Sequence, residues 1–242
     1  MTDTEGEGAL ISVRSLTKTY GLLPVLRGLN LDIQRGESVA LLGSNGSGKS
    51  TFMRIISALS KPTAGTITVG GWELPREAAA VRAQIGMVAH KPLLYENLTA
   101  LENLRFFASL YHVPNAPARI GELLERVGLT RRAHDLVRTF SRGMLQRLAI
   151  ARALLHDPEV LLFDEPHTGL DQDAAAMLDA VVTDQRASGR TVLMATHELE
   201  RAARLSSRVI ILARGAISCD VPSDGLTAAT LAALYAEKAS AR

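Results

Sequence analysis

A glycine-rich octapeptide, Gly43-Ser44-Asn45-Gly46-Ser47-Gly48-Lys49-Ser50, lies between two segments of different character. The apolar residues Val39–Leu42 before it have the composition of a buried strand, and a helical segment opens at Thr51. The spacing matches the pattern G-x-x-x-x-G-K-S/T, in which successive backbone N–H groups surround a phosphate at a helix N-terminus. An unrelated Gly- and Ser-rich turn would not need a strand before it and a helix after it. The sequence therefore predicts a phosphate-binding loop.

The residues of this loop have separate predicted tasks. The glycines permit backbone angles that turn N–H groups toward one anion. Lys49 is expected to reach the β- and γ-phosphates of a nucleotide, and the Ser50 hydroxyl is expected to hold Mg²⁺. The predicted nucleotide-binding positions of the loop are Gly43, Ser44, Asn45, Gly46, Ser47, Gly48, Lys49, Ser50 and Thr51.

Two further segments end in polar residues directly after an apolar strand pattern. Asp164 and Glu165 follow residues 160–163, and His197 follows residues 191–195 and Thr196. Because ligands bind at the carboxyl ends of parallel strands, these side chains are expected near the phosphate loop. Asp164 suits a Mg²⁺ shell, and Glu165 suits polarising an attacking water as a general base. His197 is predicted to contact the γ-phosphate; the alternative is a structural histidine.

The order of strand and helix patterns predicts the fold class. Short apolar runs alternate with helical stretches, which favours an α/β fold with a mixed, mostly parallel sheet. Together with the phosphate loop, this organisation resembles a P-loop NTPase (RecA-like) core. Residues 10–13, 29–33 and 65–69 predict a small antiparallel β-subdomain, and residues 91–150 predict an inserted helical subdomain. Residues 1–8 are expected to form a disordered tail, and residues 9–242 one nucleotide-binding domain.

Composition excludes several other classes of protein. The net charge of the 242 residues is only +2, so bulk charge gives no reason to expect nucleic acid. A single cysteine, Cys219, cannot form an intrachain disulfide, which fits a reducing compartment. No apolar stretch approaches the ~20 residues that span a bilayer, and the N-terminus lacks the pattern of a secretory signal. Any link to a membrane is therefore expected to come through a partner.

A second motif separates this chain from other phosphate-loop enzymes. Phe140-Ser141-Arg142-Gly143-Met144 resembles the signature of the ATP-binding subunits of ABC transporters, usually Leu-Ser-Gly-Gly-Gln, and the likeness covers nearly the whole chain. Ser141 is also a good helix N-cap, and a simple capped helix is the alternative. The resemblance implies ATP and Mg²⁺ as ligands. It also implies a homodimer or pseudo-dimer, in which Ser141, Arg142 and Gly143 contact the nucleotide held by the other copy.

The same family supplies two more expectations. Thr168-Gly169-Leu170-Asp171 is similar to the segment that couples the two sites across the dimer, with Asp171 as the coupling residue. Lys18-Thr19-Tyr20-Gly21 is similar to the loop whose aromatic ring stacks on adenine, so Tyr20 is predicted to bind the base. Without the resemblance, Tyr20 reads as an ordinary aromatic residue at the end of a strand.

The chain departs from the family pattern at two positions. His90 stands where the family usually has a glutamine that touches Mg²⁺ and the attacking water. Either His90 performs that catalytic task with added pH sensitivity, or it only couples domains. Arg142 replaces the first signature glycine, and its side chain either contacts phosphate or is simply solvated.

With these two departures, the chain resembles one subfamily, the haem exporter ATP-binding subunit of cytochrome c maturation. That likeness implies transmembrane permease subunits as partners and a peripheral location on the cytoplasmic face of the inner membrane. ATP-binding subunits of drug or polysaccharide exporters are the alternative within the family. The alternative of another class is an ABC-type ATPase that acts on nucleic acid or ribosomes, for which the arginines of residues 126–152 offer a basic patch. No nucleic-acid partner is expected, because that class usually carries two such domains and this chain has one set of motifs.

Overall fold

The computed structural model describes residues 8–239, which fall into two compact units. The first unit contains the described residues up to 82 and from 195 onward, and the second contains residues 83–194. The predicted tail lies outside the described residues, apart from the exposed Gly8. No helix in the described part of the chain has both the length and the apolar character needed to cross a bilayer.

The secondary-structure elements follow each other in a mixed order along the chain. As far as the second unit they are β1 (Ile11–Tyr20), β2 (Leu23–Ile33), β3 (Ser38–Leu42), α1 (Lys49–Ile56), β4 (Ala64–Val69), β5 (Trp72–Leu74) and α2 (Ala78–Gln84). They continue with β6 (Ile85–Val88), α3 (Ala100–Leu110), α4 (Ala116–Arg126), α5 (Arg142–Leu154), β7 (Val160–Asp164), α6 (Gln172–Ala187) and β8 (Thr191–Ala195). The chain ends with α7 (Leu199–Leu205), β9 (Arg208–Ala213), β10 (Ala216–Pro222) and α8 (Ala228–Ala239).

A four-stranded antiparallel sheet occupies the N-terminal part of the first unit, in the order β2-β1-β4-β5. Ile11 of β1 pairs with Ile33 of β2 and with Val69 of β4, and all three side chains are fully buried. One face of the sheet therefore packs into a core, as period-2 alternation requires. The sequence predicts shorter strands because the prediction rests on apolar residues, whereas the outer face of these strands is polar. Register shifts in β1 also interrupt the alternation that would mark its full length.

The phosphate loop of the first unit is preceded by a strand that is buried along its whole length. Strand β3 runs parallel to β9, and β10 pairs with β9 in the antiparallel direction. Ala40 and Leu42 share a buried cluster with Leu231 of α8. Because β3 is packed in this way, the loop that follows Leu42 starts from a fixed point.

The second unit contains three strands, in the order β8-β7-β6, and the helices α3 to α6. Strands β6 and β7 are parallel and fully buried, and a Cβ on Gly86 of β6 would lie 2.2 Å from the carbonyl oxygen of Ala153. Glycine at that position lets α5 pack directly on the strand. Helix α3 begins with a capping box formed by Thr99 and Glu102. Residues 91–150 contain α3, α4 and most of α5, and the boundary of a helical subdomain there stays a prediction.

Candidate functional site

Two glycines of the phosphate loop occupy positions where a side chain does not fit. A Cβ on Gly43 would lie 2.4 Å from Ser47 Oγ and 2.5 Å from the carbonyl oxygen of Leu212. Gly48 has a φ of +111°, and a Cβ there would lie 2.7 Å from Leu26 Cδ2. The loop is therefore closed tightly on its own backbone and on β9, and only glycine satisfies both positions.

Lys49 lies across this loop rather than pointing into bulk water. Its side chain is only 6% exposed, and its Nζ donates to the carbonyl oxygen of Gly43 at 2.7 Å and approaches that of Ser44 at 3.4 Å. Helix α1 has no acidic residue in its first turn, and its N-cap, Gly48, supplies no side-chain acceptor. The helix dipole and the lysine thus combine at a point that no carboxylate of the first turn neutralises. This combination fits a phosphate group.

The remaining loop residues divide into exposed and buried positions. Ser44, Asn45, Gly46 and Ser50 are exposed, and Thr51 is half-buried. Ser47 is buried, its N–H donates to Ser44 at 3.1 Å, and its carbonyl oxygen accepts from Gly215 at 3.0 Å. Ser47 therefore shapes the loop through its backbone, whereas Ser50 is an exposed residue.

Tyr20 is the last residue of β1 and has an exposed ring, at 49% of its full surface. The Nζ of Lys18 lies 4.6 Å from the centroid of this ring and donates to the carbonyl oxygen of Lys61 at 2.8 Å. The lysine thus fixes one side of the ring by a cation–π contact. An aromatic ring held in this way suits stacking on a planar ligand.

His197 follows β8 and is exposed, at the start of the turn that leads into α7. The preceding Thr196 is buried, its N–H donates to the carbonyl oxygen of Leu41 at 3.2 Å, and its Oγ1 accepts from Glu198 at 3.1 Å. Because Thr196 anchors the turn to β3, the imidazole is presented at a defined point. The first unit therefore contains the phosphate loop, Tyr20 and His197.

The second unit contains the two predicted carboxylates. Asp164 ends strand β7 and is buried, and Glu165 is half-buried with a φ of +51°. A non-glycine residue in that left-handed region is strained, and such strain often occurs at functional sites. The Nε2 of Gln146 donates to the carbonyl oxygen of Pro166 at 2.9 Å and so holds the turn after Glu165.

A cavity of about 230 Å³ in the second unit brings three predicted residues together: His90, Arg142 and Glu165. Gln146, Pro166 and Thr168 also line it. His90 is exposed in the loop after β6, so imidazole, guanidinium and carboxylate face one small polar space. A space of this volume and polarity suits water molecules.

The signature segment caps helix α5. Ser141 is the N-cap, and its Oγ accepts from the N–H of Met144 at 3.3 Å. The guanidinium of Arg142 is packed on Gly169, where a Cβ would lie 2.6 Å from Arg142 Cζ. The sequence offered a contact to phosphate or a solvated side chain; the exposed Arg142 also packs on its own chain, which neither alternative included.

Asp171 caps the next helix and meets the same segment. Its Oδ1 accepts from the N–H of Ala174 at 2.8 Å, at the start of α6. A Cβ on Gly143 would lie 3.5 Å from Asp171 Oδ2. The signature segment and the predicted coupling segment are therefore neighbours within one chain.

One buried pair beside this site could not be predicted from the sequence. His167 is buried, and its Nε2 lies 2.7 Å from Asp179 Oδ1 in α6. The contact fixes the loop two residues after Glu165. The only signal was a histidine in a short loop, which by itself has no specific meaning.

Comparison with known proteins identifies the family. The family model described as "ABC transporter" matches residues 26–168. The chain is 39% identical over 217 residues to the uncharacterised ABC transporter ATP-binding protein YdbJ of Bacillus subtilis, covering 89% of this chain and 70% of that protein. It is 40% identical over 222 residues to the daunorubicin resistance ATP-binding protein DrrA3 of Streptomyces coeruleorubidus, covering 91% and 70%. It is 39% identical over 218 residues to the fluoroquinolones export ATP-binding protein MT2762 of Mycobacterium tuberculosis, covering 89% and 72%.

Solved structures confirm the predicted fold class. The ATP-binding subunit of an ABC transporter superposes with a TM-score of 0.87 at 33% identity, covering 94% of this chain and all of that one. The dimeric cassette MJ0796, in a post-hydrolysis state with ADP and phosphate, gives 0.83 at 30% identity, covering 89% of this chain and all of that one. Two of these relatives are named for drug resistance or export and none for haem export, so the resemblance to haem exporters finds no support among them. The chain belongs to the ABC transporter family and is one of its ATP-binding, ATP-hydrolysing subunits.

Proposed function

We propose that two copies of this chain bind two MgATP and power a membrane partner that exports amphipathic, drug-like small molecules. The observation that carries the choice of substrate class is the set of relatives named for linearmycin resistance, daunorubicin resistance and fluoroquinolone export. It replaces haem export, the narrower expectation from the sequence. The permease subunits hold the transport path, and the chain acts peripherally at the cytoplasmic face of the inner membrane.

ATP binding begins in the first unit. The loop N–H groups and Lys49 hold the β- and γ-phosphates, because the buried ammonium already lies against the loop backbone. Tyr20 stacks on adenine with the ring that Lys18 steadies. His197, presented by the anchored Thr196, contacts the γ-phosphate.

Ser50 and Asp164 are the residues of this chain that would hold Mg²⁺. A hydroxyl and a carboxylate are the oxygen donors that Mg²⁺ takes beside nucleotide phosphates. Among the described residues, no group of three or more His, Cys, Asp or Glu side chains could bind a metal, which fits a site that depends on the nucleotide. When bound, the ion neutralises negative charge on the β- and γ-phosphate oxygens.

Glu165 is the residue that polarises the attacking water. Its strained backbone directs the carboxylate to the cavity that His90 and Arg142 also line. The imidazole of His90 hydrogen-bonds to the same water and so takes the place of the family's glutamine. Cleavage then depends mainly on position and on charge, as in other phosphoryl transfers.

The second copy completes each site. The exposed N-terminus of α5, capped by Ser141, offers a hydroxyl, N–H groups and a helix dipole to the γ-phosphate of the partner. Gly143 permits close approach, and Asp171 relays closure because it lies against the same segment. Hydrolysis removes the shared phosphate and lets the dimer reopen.

Several arginines of the basic patch within residues 126–152 have partners inside the chain. Arg126 pairs with Asp184 at 2.9 Å and Arg132 with Asp135 at 2.9 Å. Arg147 donates to the carbonyl oxygen of Val127 at 3.0 Å. These contacts favour a structural use of the charges over nucleic-acid binding, which speaks against the rival ATPase class.

Tyr20→Ala is expected to raise the Kd for MgATP about 5- to 100-fold, because a base–aromatic stack is worth ~1–3 kcal/mol. Tyr20→Phe keeps the ring and should stay within about twofold of the parent. Titration with a fluorescent ATP analogue measures both variants. Equal affinity of Tyr20→Ala and the parent would remove Tyr20 from the site.

The export proposal is tested in a strain that lacks the gene and is complemented with the parent chain or with Glu165→Gln. We expect the parent alone to restore resistance to at least one of an anthracycline, a polyene and a fluoroquinolone. The same strains are assayed for haem-bound cytochrome c, which should not change. Loss of cytochrome c without any change in drug resistance would return the assignment to haem export and overturn the proposal.

A further inference from the structure

One half-buried arginine of helix α5 has no role in the mechanism proposed for this site. Arg152 lies near the C-terminal end of α5, and its Nη2 donates to the carbonyl oxygen of Met87. Its Nη1 lies 3.5 Å from the carbonyl oxygen of Leu93. The guanidinium also stands 5.3 Å from the ring centroid of Phe107 in α3.

The charge of Arg152 is not balanced by an acid. Among residues 8–239, no carboxylate acts on its charge, and its Nε is buried without a hydrogen bond. Burial lowers the pKa of the guanidinium from its ordinary value. A guanidinium that is partly removed from water without an acidic partner is destabilising, and a methionine of similar length would fill the space at lower cost. The energetic cost of Arg152 is therefore offset by the two backbone carbonyl groups that its N–H donors hold.

The two carbonyl groups lie on either side of His90 in the chain. Met87 belongs to β6, before the His90 loop, and Leu93 follows it. A single rigid fork of donors can bridge both ends of the loop, which a lysine or a methionine cannot do. The cation–π contact to Phe107 fixes the plane of that fork.

Helix α5 holds the other catalytic loop by the same device. Gln146 donates to the carbonyl oxygen of Pro166, directly after Glu165. Ser141 caps the helix at the end proposed to meet the partner's nucleotide. One helix thus connects the Ser141 end to the Glu165 loop through Gln146 and to the His90 loop through Arg152.

We propose that Arg152 is a positioning residue that ties the His90 loop to helix α5, the helix that also holds the Glu165 loop, so that His90 keeps its place relative to Glu165. The part that concerns catalysis rests on the proposed role of His90. The mechanical link itself does not, because it follows from the contacts of Arg152 alone.

The test uses Arg152→Met and Arg152→Lys in the full chain with its membrane partner. Arg152→Met should lower ATP turnover about 10- to 100-fold, the scale of a catalytic group misplaced by about 1 Å. MgATP affinity should stay within about twofold, because the phosphate loop is not touched. Arg152→Lys keeps the charge but not the fork, so it should restore only part of the turnover.

Arg147→Met is the matched control. It removes a guanidinium from the same helix that also donates to a backbone carbonyl, but one outside the His90 loop. We expect its turnover to stay within about threefold of the parent. The two variants should be equally folded by far-UV circular dichroism.

A double-mutant cycle with His90→Ala and a hydrogen-exchange measurement separate the possible failures. In the His90→Ala background, Arg152→Met should lower ATP turnover by less than about threefold further, because both changes remove the same contribution of His90. Independent of turnover, amides of residues 88–95 should exchange faster in Arg152→Met than in Arg147→Met. If the turnover of the double variant fell by the product of the two single losses, or if hydrogen exchange in residues 88–95 did not change, the proposed link between Arg152 and the His90 loop would be wrong. Normal turnover of His90→Ala with faster exchange in Arg152→Met would instead refute only the proposed role of His90.

Discussion

Glu165→Gln is expected to lower ATP turnover by about 10²–10⁴-fold while MgATP affinity stays within about twofold. The amide has the shape of the carboxylate, so the strained backbone at +51° and the hydrogen bond from Gln146 to Pro166 are retained. What the variant loses is the negative charge that polarises the attacking water. Phosphate release at saturating MgATP and titration with a fluorescent nucleotide measure the two quantities.

The control for this prediction is Glu122→Gln. Glu122 is an exposed acid on α4 that pairs with Arg119 at 2.9 Å, and surface pairs of this kind contribute little. Its turnover should match that of the parent. Turnover of Glu165→Gln near the parental value would show that another group activates the water, and His90 would then be the first candidate because it lines the same cavity.

The sequence predicts those parts of the site whose structure depends on residues that are neighbours in the chain. The buried strand before the phosphate loop and the strand at Thr191–Ala195 have the predicted bounds because apolar runs with turn residues at both ends define them. Helix α5 begins at Arg142, directly after Ser141, which the sequence marks as a good N-cap. Capping depends on one side chain and not on the hydrophobic pattern, so periodicity alone misses the first turn.

Contacts between distant side chains could not be predicted in this way. Arg142 packs on Gly169, which has a φ of +71°, and only folding brings these two residues together. The donors of Arg152 reach carbonyl oxygens about 60 residues away, and backbone carbonyls carry no sequence signal. The sequence marks which residue types are present in the site, and the fold decides what each one touches.

Lys49→Met is expected to weaken MgATP binding by about 100-fold and to reduce turnover to background. Hydrogen bonds to a charged group are worth ~1.5–3 kcal/mol each, and Lys49 is predicted to contact two phosphates. Methionine keeps the buried aliphatic stem but loses the hydrogen bond to the carbonyl oxygen of Gly43, so the thermal midpoint should fall by only a few degrees. Calorimetric titration with MgATP and a thermal melt give both results.

The matched control is Lys61→Met, which removes an exposed lysine from the same unit while leaving the backbone carbonyl that Lys18 contacts. Its affinity and turnover should equal those of the parent. In a Glu165→Gln background, MgATP should produce a stable dimer by size-exclusion chromatography, and adding Lys49→Met should abolish it, because the partner's Ser141 segment then has no γ-phosphate to bind. A dimer that persists in the double variant would mean that association does not depend on the nucleotide, and the proposed sharing of each phosphate between two copies would have to be abandoned.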